Sequence, residues 1–107
     1  MTPDVEIAPA ELKARLDAGV AVDILDVREE WEHALVALPG ARLIPIDELP
    51  ARLGELDAGH EVVVYCHHGV RSAAAVEWLR RQAIPAVNLQ GGIDAWVVEV
   101  APGLPRY

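Results

Sequence analysis

The sequence predicts an α/β fold built on a mainly parallel sheet, and three observations carry that prediction. Short β-favouring runs alternate with helix-patterned stretches along the whole length, the order expected when helices cross over between parallel strands. The most apolar run, EVVVYC (61–66), passes directly into the clearest helical stretch. The 107 residues, 52% apolar and 24% charged, have an ordinary globular composition and are enough for a single core.

Taken in order, IAPAELKARLDAG (7–19) reads as a helix entered through Pro9 and stopped at Gly19, with Leu12 and Leu16 on one face. VAVDILDV (20–27) is a strand interrupted by Asp23 and Asp26, and REEWEHAL (28–35) is a short helix whose acidic run reads as a solvated face. ALPGARLIPI (37–46) turns at Pro39-Gly40 into a short strand, and DELPARLGEL (47–56) is a helical piece broken near Pro50. After EVVVYC, residues Ser72, Ala75, Val76, Leu79 and Ala83 form a helical stripe headed by a polar cap. PAVNLQGG (85–92) gives a last strand, with Gly91-Gly92 turning into a last helix, GIDAWVVEV (92–100). Trp31, Trp78 and Trp96 read as core or core-edge residues. APGLPRY (101–107) reads as a tail with no need of order, leaving a single domain with an ordered core over about 4–100.

The formal charge of −8 argues against nucleic acid as a partner. No apolar run reaches the length of a membrane span, and MTPDVEIAPAEL lacks the basic and apolar regions of a signal peptide. The expectation is therefore a cytoplasmic protein with no membrane partner. One cysteine excludes an intramolecular disulfide and leaves a free thiol.

That cysteine sits where a strand hands over to a helix, in CHHGVRS (66–72). In parallel sheets ligands bind beyond the carboxyl ends of the strands. A thiol attacks only as thiolate, a form favoured by a helix N-terminus or a fixed cation, and Arg71 lies five positions on. Gly69 supplies the positive φ that a ring of inward-facing amides needs. The pattern reads as an anion cradle with sulfur at its centre. Its C-x4-R spacing is one residue shorter than the C-x5-R loop of cysteine phosphatases, which suits a smaller object than a phosphate group.

The loop CHHGVRS resembles the active-site loop of the rhodanese superfamily of sulfurtransferases. DVREEWEHALVALPGARLIPI (26–46) resembles the segment ahead of that loop, and LQGGIDAW (89–96) resembles the closing Gly-Gly…Trp signature. One departure is LVALPGA (35–41), which keeps Pro39-Gly40-Ala41 where many members read G-H-I-P-G-A. The resemblance covers nearly the whole chain. It implies a three-layer α/β/α sandwich with about five strands, and a sulfurtransferase of the thiosulfate type working through a Cys66 persulfide without an added cofactor. A small anionic sulfur donor, a cyanide or thiol acceptor, and a sulfur-accepting protein are the implied partners. Backbone amides of His67, His68, Gly69, Val70, Arg71 and Ser72 would cradle the persulfide. Arg71 would bind the donor or turn outward into an ion pair.

Other readings stand beside these. Cys66 alone reads as a small buried hydrophobe. His67 and His68 suggest a metal, but loop neighbours are expected to point apart, and roughly three or four ligands are needed; no metal is expected. Asp26 either caps the next helix while Arg28 pairs with a glutamate, or both stand at the pocket mouth. Competing functions are a cysteine phosphatase or arsenate reductase, a non-catalytic binding module, and a sulfur carrier serving a partner.

Overall fold

In the computed structural model, residues 5–56 and 59–107 are described. The elements in chain order are β1 (Glu6–Ile7), α1 (Pro9–Asp17), β2 (Asp23–Asp26), α2 (Glu30–Leu35) and β3 (Arg42–Leu43). Two 3-10 segments (Ile46–Glu48 and Pro50–Glu55) lead into β4 (Val62–Tyr65), α3 (Val70–Arg81), β5 (Ala86–Leu89) and α4 (Gly92–Glu99). The five strands pair in the order β1-β5-β4-β2-β3, and every pairing is parallel.

β4 sits at the centre of this sheet because its side chains suit burial on both faces. Val63 and Tyr65 join Leu12, Leu89, Ile93 and Trp96 in one apolar cluster. Val62 and Val64 join Ala75, Val76 and Leu79 in another. α1 and α4 thus cover one face and α3 the other, giving the three-layer α/β/α arrangement that the sequence led us to expect. Each such Val or Leu contributes on the order of 1.5–3 kcal/mol by leaving water. From β2 the chain crosses to one edge strand, β3, whereas from β4 it crosses the other way to β5. The connections diverge between β2 and β4, which opens a crevice at their carboxyl ends. Cys66 follows β4 at that crevice.

Several local expectations change. The edge strand β1 is two residues long, too short for any alternation to reveal it. α3 is capped by Gly69, at φ 108°, and Ser72 lies buried in the first turn instead of at the cap. Ala83 leaves the stripe: α3 ends at Arg81, and Ala83 turns the chain at φ 62° while exposed to solvent. Ile84 takes the next buried place, its N–H closing the helix end on the Leu79 carbonyl at 3.1 Å. Trp96 is buried and Trp78 half-buried, but Trp31 is 62% exposed. Its ring stands edge-on to Tyr107, 5.7 Å between centroids. The tail is no loose end, because Tyr107 docks onto the loop that carries Cys66. The expected start of order, residue 4, lies outside the described residues. Among the described residues no helix is long and apolar enough to cross a membrane.

Candidate active site

The Cys66 loop takes its shape from where its carbonyls are tied. α4 begins with N–H groups that have no partner inside the helix. Ile93 N–H bonds to the Cys66 carbonyl at 2.9 Å and Asp94 N–H to the His67 carbonyl at 3.1 Å. Gly92, at φ 64°, makes this approach possible: a Cβ there would stand 2.4 Å from the His67 oxygen and 2.6 Å from the Cys66 oxygen. On the other side, Asn88 of β5 donates its amide N–H to the Gly69 carbonyl at 3.1 Å. Of the six amides expected to cradle the sulfur, two lie within hydrogen-bond distance of it. Gly69 N–H reaches Cys66 Sγ at 3.1 Å and Ser72 N–H at 3.4 Å.

The Ser72 hydroxyl adds a third group, 3.3 Å from Sγ and 2.5 Å from Asn88 Oδ1. A hydroxyl has one proton. In the thiol state Ser72 donates to Asn88 and accepts from the S–H. Once the sulfur is anionic, that proton can turn to Sγ. Asn88 therefore sets which way the hydroxyl points, and its own amide is oriented by Gly69. Cys66 is nearly enclosed, at 1% exposure for the residue, and belongs to the apolar cluster under α3. The sequence reading placed it at a pocket and outside the core; the structure has it in the core with a polar tip.

Around the loop, one side chain takes the second of its two expected directions and others depart from expectation. Arg71 turns outward, forking onto Glu32 of α2 through Nη1–Oε1 at 2.8 Å and Nη2–Oε2 at 2.9 Å. Glu32, expected on a solvated face, is 3% exposed. It also accepts the Glu29 N–H at 3.0 Å in a capping box and the Tyr107 hydroxyl at 2.6 Å. Arg71's forked hydrogen bonds hold the Glu32 carboxyl down at about 2. Burial, then the bond to Glu32, pushes the Tyr107 phenol up to about 12.

Asp26 and Arg28 are not at a pocket mouth. Both are fully buried, and Arg28 donates to Asp26 from its backbone N–H at 3.0 Å, Nε at 2.8 Å and Nη2 at 2.7 Å. Asp26 also binds the Tyr65 hydroxyl at 3.0 Å and His33 Nδ1 at 2.8 Å. Arg28 reaches on to the Val36 carbonyl at 2.6 Å and the Tyr107 hydroxyl at 2.8 Å. The helix cap is Glu29 and the partner of Arg28 is an aspartate, so the cap-and-glutamate alternative fails as well. A carboxylate at the end of a buried strand draws in the nearest guanidinium, since neither can be left unpaired.

His67 and His68 do not point apart. Their rings stack at 3.9 Å, and Tyr107 stacks on the other face of His67 at 3.9 Å and 9°. Burial lowers the His67 pKa below its usual value, which favours the neutral ring. With Asp94 the two rings bring ligand atoms within 4.8 Å of one another, a set with metal-binding donor types. Asp94 is already held by Arg106 at 3.0 and 3.2 Å. Val70 stands at the rim, 80% exposed.

Comparison with known proteins decides the family. The model of the rhodanese-like domain matches residues 8–99. The chain belongs to the rhodanese-like family. It is 35% identical to a putative sulfurtransferase, YtwF of Bacillus subtilis, over 91% of this chain and 94% of that one. It is 38% identical to a probable adenylyltransferase/sulfurtransferase, MoeZ of Mycobacterium tuberculosis, over 94% of this chain; it spans about a quarter of that longer relative, 26% of its length. A rhodanese-like domain protein from Staphylococcus aureus superposes with a TM-score of 0.83 at 38% identity, covering 95% of this chain and 97% of the other. The five-stranded parallel sheet is thus the rhodanese fold, and sulfurtransferases and sulfur carriers are its kin.

Three residues that shape the site went unread in the sequence: Asn88, Glu32 and Tyr107. Asn88 did leave a signal, a lone amide in an otherwise apolar run, which burial obliges to find partners.

Proposed function

We propose that this rhodanese-like domain moves sulfane sulfur from thiosulfate or a related persulfide or polysulfide donor to cyanide or a thiol, through a Cys66 persulfide and without an added cofactor. The observation that carries this reading is the convergence of the Gly69 and Ser72 amides and the Ser72 hydroxyl on one sulfur. In the first half-reaction the Cys66 thiolate attacks the donor's outer sulfur, and the bond to the rest of the donor breaks with its electron pair leaving on that fragment. In the second, cyanide or a thiolate attacks the outer sulfur of the persulfide and returns Cys66 as thiolate. This is covalent catalysis in two steps, with amide donors fixed where the negative charge rests.

A phosphatase reading would need Arg71 on the phosphoryl oxygens, and Glu32 already holds its fork. A free thiol suits a reducing cytoplasm. The likeness to an adenylyltransferase/sulfurtransferase supports delivery to a sulfur-accepting protein as the cellular second half-reaction.

Intact mass after brief exposure to thiosulfate, and separately to a small-thiol hydropersulfide, tests the reading. A gain of about 32 Da that cyanide removes is expected, and Cys66→Ser should never show it while still unfolding cooperatively. No gain from either donor, with Cys66 still open to alkylation, would sink the proposal.

A further inference from the structure

The guanidiniums around the loop are all paired. Arg71 is forked onto Glu32, Arg28 onto Asp26, and Arg106 onto Asp94, beside His68. Glu32 is saturated, each oxygen accepting two hydrogen bonds: Oε1 from Glu29 and Arg71, Oε2 from Arg71 and Tyr107. It stays ionised at any working pH. Arg71 keeps other N–H donors with which to touch a ligand, but its charge is cancelled. The amides of the cradle point at Sγ itself, and the chain as a whole carries −8. A thiolate must then meet its donor with little positive charge to offset repulsion, and repulsion grows with the donor's charge.

From this we propose that the Cys66 site selects sulfane-sulfur donors carrying at most one negative charge, hydropersulfides and thiosulfonates, over the thiosulfate dianion, with Glu32 as the residue that sets the selection. The inference rests on the persulfide reading above and names its substrate class. With a hydropersulfide RS–SH, the Cys66 thiolate attacks the terminal sulfur, the S–S pair leaves on RS⁻, and Cys66–S–SH keeps the proton. With methanethiosulfonate, CH3SO2S⁻, the leaving group is methanesulfinate and the product is the persulfide anion. Thiosulfate would give the same anion with departure of sulfite dianion.

Methanethiosulfonate is the probe, because it keeps the sulfur–sulfonyl bond of thiosulfate and replaces one charged oxygen by methyl. Both donors are compared by kcat/KM with cyanide as acceptor, each normalised to its uncatalysed rate with a small thiol. In the intact protein methanethiosulfonate should lead by roughly tenfold or more, and Glu32→Gln, which frees the Arg71 charge, should cut that lead about tenfold by improving thiosulfate. Thiosulfate used as well or better by the intact protein, or an unchanged ratio in a folded Glu32→Gln variant, overturns the proposal. Should that variant fail to fold, salt decides on the unaltered protein. A flat or rising thiosulfate kcat/KM with added salt supports the proposal, and a steep fall, the mark of an engaged cation, refutes it. Absence of the mass gain with every donor takes down the persulfide reading first, and this inference with it.

Discussion

The carboxyl ends of β2 and β4 lie side by side and use polar groups in opposite ways. Beyond β2, Asp26, Arg28, Glu32 and Tyr107 form a closed network in which each carboxylate oxygen is occupied and each charge has a partner. Beyond β4, two amides and a hydroxyl converge on one sulfur, at 3.1, 3.4 and 3.3 Å, with no charged side chain among them. Saturated groups fix a structure. Donors fixed in advance around one atom stabilise negative charge that develops there. The difference explains why the charged region is structural and the uncharged one is the candidate chemical centre.

The largest way to break this comparison is to open the closed network. Arg28→Ala leaves Asp26 buried without its cation and should cost about 3–5 kcal/mol in urea unfolding. A loss below about 1 kcal/mol would mean that the network is not what holds β2 and α2 together.

A smaller change sharpens the contrast from the other side. Asn88→Ala removes the acceptor of Ser72 and the donor to Gly69. It should cost only about 1–2 kcal/mol of stability but slow persulfide formation about tenfold, read by stopped-time mass measurements. Equal retention of rate would show that the hydroxyl needs no steering.

A third effect is read in acid. Glu32 is held at about 2 against an ordinary 4.5, so its contribution is whole above about 4.5 and is lost as pH falls towards 2. His67 is also lowered, but from 6.5, so the unfolded chain takes up that proton first and stability starts to decline as pH falls through that value. Urea midpoints at pH 7, 5.5, 4 and 3 should show both limbs. Glu32→Gln should lose the lower limb and keep the upper; a lower limb that survives assigns it to other carboxylates.

How much of this was legible follows the same division. Cys66, Gly69, Arg71 and Ser72 are close in sequence, at the joint of a strand and a helix, so the loop could be read directly. The order of elements also gave the parallel sheet, because strand and helix periodicities are local. Glu32 meets Arg71 across 39 residues and Tyr107 across 75, and no local pattern carries such a meeting. Arg71 was read with both directions open for that reason: its partner is chosen by where α2 lands. Arg28 and Asp26 are two residues apart, yet Arg28 also meets the Tyr107 hydroxyl across 79 residues.

Gly92 has one more consequence. The Cys66 and His67 carbonyls are gripped by an element that follows them by some 26 residues in the chain, and the grip needs a residue with no side chain. A growing polypeptide that has emerged only as far as α3 therefore carries the full CHHGVRS stretch before either Asn88 or the start of α4 can tie its carbonyls. The thiol exists early in synthesis and its surroundings are completed late. Reactivity at Cys66 is in this sense a report on the completeness of the fold around it.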